Sequence, residues 1–338
     1  ELGLMGIPWE EKYGGTGMDT LALVIAIEEL GKVCSSTAAT LMAHTSLGTA
    51  PIALFGTEEQ KKKYLPGLAS GQKIGAFGLT EPNAGSDAGN TQTRAVLDGD
   101  EYIVNGEKAF CTNAGVSSVL IFTAVIIENG KENGISAFVV ESDTEGISFN
   151  PPEKKMGWCA SDTRSVFFKD MHIAKSAILG NPEKGFKQFM QTLTSGRITI
   201  GALSIGTAQG AFNKALAYSE EREAFGKPIN RFQGISFKLW DMATQIEASR
   251  HLVYHAAWIK DQGFPAIREA SMAKLFSSET AMKVTTEAIQ VFGGYGYIKE
   301  YDVERFFRDA KILEIGEGTS EIQRIVIARQ IIKSSQPV

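Results

Sequence analysis

Cysteine is scarce in this chain: Cys34, Cys111 and Cys159 are the only three among 338 residues. They lie far apart and form no CxxC, so neither a disulfide framework nor a zinc knuckle is indicated, and a reducing compartment is expected. No apolar run approaches the ~20 residues that a bilayer crossing needs. The opening Glu1-Leu2-Gly3-Leu4 carries no basic stretch ahead of an apolar one, and membrane insertion is not expected. Charge of one sign is lacking too. The 34 Lys and Arg stand against 39 Asp and Glu, a net −5, which removes the general electrostatic ground for nucleic acid or an anionic membrane as partner. No GxSxG marks a nucleophile elbow and no GxxxxGK[ST] marks a P-loop. His251 and His255 have the i, i+4 spacing of zinc peptidases, but Leu252 follows the first where that motif needs Glu, so no metal site is assigned.

What is present is an ordinary globular balance, 43% hydrophobic and 22% charged, in a chain long enough for two or three lobes. Residues 17–70 read as helical, and Thr57 followed three positions later by Gln60 is a capping-box pattern. From Gly75 the texture changes to short β-type runs. Tyr102-Ile103-Val104, Asn105-Gly106 and Glu107-Lys108-Ala109-Phe110 predict a hairpin, because Asn-Gly suits a type I′ turn. Further strands are predicted over residues 119–127, 135–140 and 165–168. After Asn181 the pattern is helical again. Leu239, Met242, Ala243, Ile246, Val253 and Ala257 fall on one stripe that also holds Arg250, for which an ion pair is predicted. The reading is therefore an α+β multi-domain chain: a helical N-terminal domain at residues 1–74, a central antiparallel β domain at 75–181, and a C-terminal domain of four-helix-bundle type at 182–338.

Chemistry concentrates in a few polar knots. Gly78-Leu79-Thr80-Glu81-Pro82-Asn83-Ala84-Gly85-Ser86-Asp87 has the Pro and Gly of a fixed turn with hydroxyls at Thr80 and Ser86. Phe110-Cys111-Thr112-Asn113-Ala114-Gly115 is a second such loop, and with Phe77 and Phe110 the two could line a planar heteroaromatic ligand. Phe292-Gly293-Gly294-Tyr295-Gly296-Tyr297 follows helical sequence, which argues against a Rossmann turn but leaves room for a backbone to approach a pyrophosphate. Near the C-terminus Glu317 stands between Gly316 and Gly318, just ahead of Thr319 or Ser320 as the N-cap of a final helix. Such a carboxylate is either a solvated loop acid or, if desolvated, a base of raised pKa.

These segments in this order, with Arg222-Glu223-Ala224-Phe225-Gly226-Lys227-Pro228-Ile229 and Gln233 between them, closely resemble the acyl-CoA dehydrogenase family over essentially the whole chain, and its short-chain and butyryl-CoA branch most of all. The family has about forty more residues of N-terminal helix, so a truncated N-terminal domain is expected. The resemblance implies FAD as cofactor, with Leu79 and Thr80 on the flavin pyrimidine edge and Thr112 near N5. It implies Arg222, Phe225, Gln233, Gln290, Gly293 and Gly294 on the adenosine-pyrophosphate of a neighbouring subunit's FAD, with Thr319 among the cofactor contacts. Ser86, Arg197, Gly316 and Gly318 would face the substrate. Glu317 matches the catalytic base, and Gly196, ahead of Arg197, excludes the alternative base position of other branches.

The activity implied is α,β-dehydrogenation of a short- to medium-chain acyl-CoA, with electrons passed to an electron-transferring flavoprotein. A homodimer is the minimum and a homotetramer the expectation. Two readings stand beside it: an enoyl-CoA or arylacryloyl-CoA reductase in an anaerobe, and a non-catalytic assembly protein on the same fold. The compartment would be the cytoplasm of a bacterium or the mitochondrial matrix of a eukaryote. Phe110 in place of Trp, Gly316 in place of Tyr, Cys159 in place of Arg and Thr194 in place of Asp depart from common family patterns and bear on substrate choice.

Overall fold

Residues 2–335 are described by a computed structural model, in which the chain divides into two units that alternate along the sequence. The first comprises Glu1–Asp19, Thr40–Lys154 and Ser161–Gly196, and the second Thr20–Ala39, Lys155–Ala160 and Arg197–Val338. In chain order the elements are α1 (Thr20–Gly31), α2 (Ser35–Met42), a π-helical segment (Ala43–Thr49), α3 (Ala50–Phe55) and α4 (Glu58–Ala69). Strands β1 (Gly75–Gly78), β2 (Arg94–Asp98), β3 (Glu101–Thr112), β4 (Val119–Glu128), β5 (Lys131–Glu141), β6 (Ile147–Phe149), β7 (Thr163–Ala174) and β8 (Ile178–Leu179) follow. Then come α5 (Gly185–Glu221), a ribbon of β9 (Glu223–Ala224) and β10 (Lys227–Pro228), α6 (Gln233–Asp261), α7 (Ile267–Phe292), α8 (Val303–Ala310) and α9 (Ser320–Ser335). Helices thus precede and follow a β region, as the change of texture predicts.

The first unit is built around β4, whose near-continuous apolar run is buried on both faces. Val119 and Ile121 join Ile52, Tyr64, Leu65 and Leu68 of the helices, while Leu120, Phe122, Ala124 and Ile126 join Tyr102, Val104, Phe138 and Phe168 in a second cluster. The period of two along the strand supplies both cores. The sheet runs β6-β7-β3-β2-β4-β5-β8, and β1 and β2 follow one another along β4 as its parallel partners; the other pairings are antiparallel. The capping box at α4 is formed: Gln60 N–H donates to Thr57 Oγ1 and Thr57 N–H to Gln60 Oε1. His44 lies fully buried in the π segment. It accepts from Gly75 N–H at Nδ1 and bonds the Leu68 carbonyl through Nε2, and burial pushes its pKa down to about 4, so it stays neutral.

One element differs from the sequence reading. Asn105-Gly106 is not a hairpin turn but lies inside β3, which runs unbroken from Glu101 to Thr112. Both halves of β3 pair with β7, and Asn-Gly is absorbed as an irregularity between Val104 and Gly106. Glycine is needed there because φ is 148° and a Cβ would lie 2.6 Å from Thr93 Oγ1. The side chain of Asn105 meanwhile bonds Asp170 on β7, donating from Nδ2 and accepting from its N–H. The actual hairpin closes one turn earlier, where Asp98 pairs with Glu101 across Gly99-Asp100.

The second unit is helical. On α6 the residues Leu239, Met242, Ile246, Val253 and Ala257 are buried as their spacing predicts. Arg250 on the same stripe pairs at 3.0 Å with Glu28 of α1, which also accepts a hydrogen bond from Tyr254. Helices α1 and α5 approach through Gly31 and Gly206: a Cβ on Gly206 would come within 2.9 Å of Gly31 Cα. Asp309 on α8 receives the N–H of Trp158 at 2.6 Å, tying residues 155–160 to this unit.

Candidate active site

In the first unit two loops carry the predicted site residues. The loop after β1 is anchored by Glu81, which is buried and accepts from Gln92 N–H, Thr93 N–H and hydroxyl, and Lys108 Nζ at 2.6 Å. Lys108 is itself fully buried on β3 and also donates to Thr123. Burial raises the Glu81 carboxyl, but Lys108 and its other donors outweigh that and hold it below the usual carboxylate range. Thr80, one residue earlier, accepts Ala109 N–H at its carbonyl, which ties this loop to the residue before Phe110.

The second loop is held by Asp162, which receives Gly115 N–H and pairs with Arg164, while Asn113 Nδ2 reaches the Thr40 carbonyl. So fixed, the loops present half-buried Thr80 and Thr112 and exposed Ser86, whose hydroxyls find no partner among the described residues. Phe110 is 68% exposed in a left-handed conformation. Phe77 is stacked on Phe189 at 4.2 Å, which takes one of its faces, and Leu79 packs against the same apolar cluster.

In the second unit Glu317 has φ 55° and Gly318 φ 95°, a left-handed pair that turns the chain into α9. Thr319 caps that helix by accepting Ile322 N–H, and its hydroxyl also bonds the Glu321 carboxylate. Residue Glu317 is half-buried as a whole, yet both carboxylate oxygens are out of solvent and without a hydrogen-bond partner among the described residues. Burial pushes its pKa up to about 7 against the opposing pull of Lys274 and Arg197. Arg197 is buried on α5, and its Nε is unpartnered. Gly316 borders open space, since a Cβ there would meet only the Ile312 carbonyl at 3.5 Å.

A third group surrounds a cleft of about 630 Å³ in the same unit, lined by Arg222, Phe225, Gly293 and Gly294 with Tyr218 and Phe292. Phe225 forms the tip of the β9–β10 ribbon, where φ is positive at both turn residues, and its ring is 96% exposed. A large aromatic held left-handed and in solvent is a strained, unsatisfied arrangement of the kind found at binding sites. A Cβ on Gly293 or Gly294 would meet nothing within 4 Å, so the space above them is open. Gln233 and Gln290 are exposed at the ends of α6 and α7, adjoining the cleft-lining Phe232 and Val291 rather than lining it.

Sequence reasoning passed over Lys274 and the Glu81–Lys108 pair. Lys274 is fully buried on α7 between Ala270, Ala273 and Ser277, and donates to the Gly318 carbonyl at 2.8 Å. The available signal was a lysine at an inward position of an otherwise small and apolar stripe; Lys108 likewise takes an inward position on β3.

Known proteins resemble the chain over its whole length. Residues 1–72, 76–171 and 183–332 match the family models for the N-terminal, middle and C-terminal domains of acyl-CoA dehydrogenase. A probable acyl-CoA dehydrogenase of Bacillus subtilis is 54% identical, over 98% of this chain and 88% of its own. The short-chain specific acyl-CoA dehydrogenase of Clostridium acetobutylicum is 50% identical over the same shares, and the acryloyl-CoA reductase (NADH) of Anaerotignum propionicum 46% identical over 98% and 85%. Among solved structures, butyryl-CoA dehydrogenase from Megasphaera elsdenii superposes with a TM-score of 0.95 at 48% identity, covering 98% of this chain and 88% of that one. A chain from a structure described as the electron transferring flavoprotein of Acidaminococcus fermentans superposes at 0.96, also 48% identical, with 98% and 87% covered.

Proposed function

This chain belongs to the acyl-CoA dehydrogenase family of FAD-dependent oxidoreductases, and from that premise we propose that it converts a short- to medium-chain acyl-CoA into the trans-2-enoyl-CoA, with Glu317 as the base. The observation that carries this reading is the Glu317 carboxylate: desolvated, unpartnered, and with a pKa near 7. An ordinary carboxylate of pKa ~4.3 is a poor acceptor for a proton α to a carbonyl, and matching the pKa to the working pH is what makes a general base effective. The Glu317 N–H meets no acceptor among the described residues, so it is available to polarise a thioester oxygen as the proton leaves.

The residues present fit FAD. Unpartnered hydroxyls at Thr80 and Thr112 beside an exposed Phe110 suit the edge of a planar ring, and an open glycine pair beside Arg222 suits a pyrophosphate. When bound, FAD supplies a two-electron acceptor. Leu79, Thr80 and Thr112 would hold the ring edge of one FAD, and Arg222, Phe225, Gly293 and Gly294, with Gln233 and Gln290 adjoining, would hold the adenosine-pyrophosphate of a neighbouring subunit's FAD. Thr319 would be a further cofactor contact. Ser86 and Arg197 would orient the thioester. Gly316 leaves room beside the base, and Gly318 lets the turn keep its left-handed form.

The short-chain relatives support the acyl length, and the structure described as an electron transferring flavoprotein supports that class of protein as electron acceptor. The acryloyl-CoA reductase relative supports the same residues working in the opposite direction. Anaerobic titration of the flavin absorbance with acyl-CoA thioesters of graded length separates these readings. Bleaching by a four- to eight-carbon saturated thioester is the expected result. Reduced flavin reoxidised by enoyl-CoA, with no bleaching by any saturated thioester, would put the reductase in its place; colourless protein that takes up no FAD would overturn both.

A further inference from the structure

The Gly318 carbonyl already has a donor. Gln323, fully buried on α9, donates from Nε2 to Gly318 O at 2.9 Å and to Glu317 O at 3.2 Å, so a neutral amide bridges both carbonyls of the left-handed turn. As a staple, a second donor on the same oxygen adds little, and a lysine is a costly choice because its ammonium must be stripped of water. Yet Lys274 is 0% exposed and gives Gly318 O its second bond at 2.8 Å. What Lys274 adds that Gln323 cannot is charge, and the anion facing it is Glu317, whose oxygens lack any hydrogen bond among the described residues. We propose that Lys274 is a positioning residue for this reaction: buried beneath the turn, it holds the Gly318 carbonyl and supplies the counter-charge that lets a desolvated Glu317 carboxylate exist beside the substrate. The proposal rests on the reading of Glu317 as the base.

The charges around the pair are few. Arg197 from α5 faces Glu317, and Glu314 and Glu321 from the flanking segments act on Lys274 together with Glu317 and Arg197. Burial and the neighbouring Arg197 lower the Lys274 ammonium to about 8 while the acids oppose, so it is still charged where Glu317 ionises near 7. Loss of that charge has a definite sign. With only Arg197 left, the carboxylate is harder to form, and the pH at which the base becomes competent moves up.

The test uses the FAD-loaded enzyme with Lys274→Gln, which keeps a donor and drops the charge, and Lys274→Arg, which keeps the charge. The ionisation of Glu317 is read directly by isotope-edited infrared titration, its protonated carboxyl band assigned by its loss in Glu317→Gln; flavin bleaching is followed alongside against pH. In Lys274→Gln the infrared midpoint should rise by about one pH unit, the bleaching rate at pH 6 should fall about tenfold, and the rate at pH 9 should stay within about threefold of the parent. Lys274→Arg should keep the parental midpoint. A parental midpoint in Lys274→Gln overturns the proposal whatever happens to stability, since a merely structural lysine would leave the carboxyl titration where it was. If instead Glu317→Gln bleaches at the parental rate, the base reading fails, while the infrared midpoint still reports separately on what Lys274 does to the carboxylate.

Discussion

Glu317→Gln keeps the shape of the proposed base and removes its ability to take a proton. The bleaching rate should fall by about 10²–10⁴ while FAD content is retained, as rapid mixing and absorbance would show. In the parent the rate should rise with pH through about 7, as the raised carboxyl ionises. Stability should move the other way. A group whose folded pKa lies above its unfolded value favours the fold at low pH and loses that contribution as pH rises between the two, so above pH 7 Glu317→Gln should be the more stable protein by roughly 2–3 kcal/mol in denaturant titrations of the flavin-free form. The Glu81–Lys108 pair behaves oppositely, because both partners are buried and satisfied only by each other and their neighbours. Lys108→Met should cost about 3–5 kcal/mol by leaving Glu81 uncompensated, and Glu81→Gln added to it should recover much of that. Of the proposed site, Glu317 stands out in the sequence because glycines flank it within a family-like run. Lys274 and Lys108 do not, since a lone lysine in an inward stripe reads as an interruption until its partner, 44 or 27 positions away, is seen.

At the scale of elements, Gly106 is the position where local and long-range preferences part. Asn-Gly has the strongest short-range tendency to turn, yet β7 offers hydrogen bonds to both halves of β3, and pairing along the whole strand wins. Gly106→Ala should then destabilise the protein by about 1–3 kcal/mol, because the new methyl must displace Thr93. A lowered unfolding midpoint in denaturant titration would show it. Elements whose signal is local were readable: the Thr57–Gln60 box, the α6 stripe, and the Thr319 cap. The order of strands was not, because β1 and β2 line up in parallel along one edge of β4 through contacts that no short window of sequence contains.

For the whole molecule, the exposed ring of Phe225 and the guanidinium of Arg222, which lies 5.6 Å from the Tyr295 ring centre, form a surface with little internal reason to exist. If a second copy's FAD occupies that cleft, Arg222→Ala should lower FAD occupancy and loosen the oligomer together, measured by absorbance and size-exclusion chromatography; full flavin content in an unchanged oligomer would refute it. The connectivity of the chain has a consequence of another kind. The polypeptide changes unit after Asp19, Ala39, Lys154, Ala160 and Gly196, so neither unit is one continuous stretch. Glu28, buried on α1, has one cation four positions on, Lys32 at 3.8 Å, and a closer one 222 positions on at Arg250. At roughly 5–20 residues per second of synthesis, the second of these partners follows the first by on the order of ten to forty seconds. The ion pair that joins α1 to α6 therefore forms only once α6 has been made.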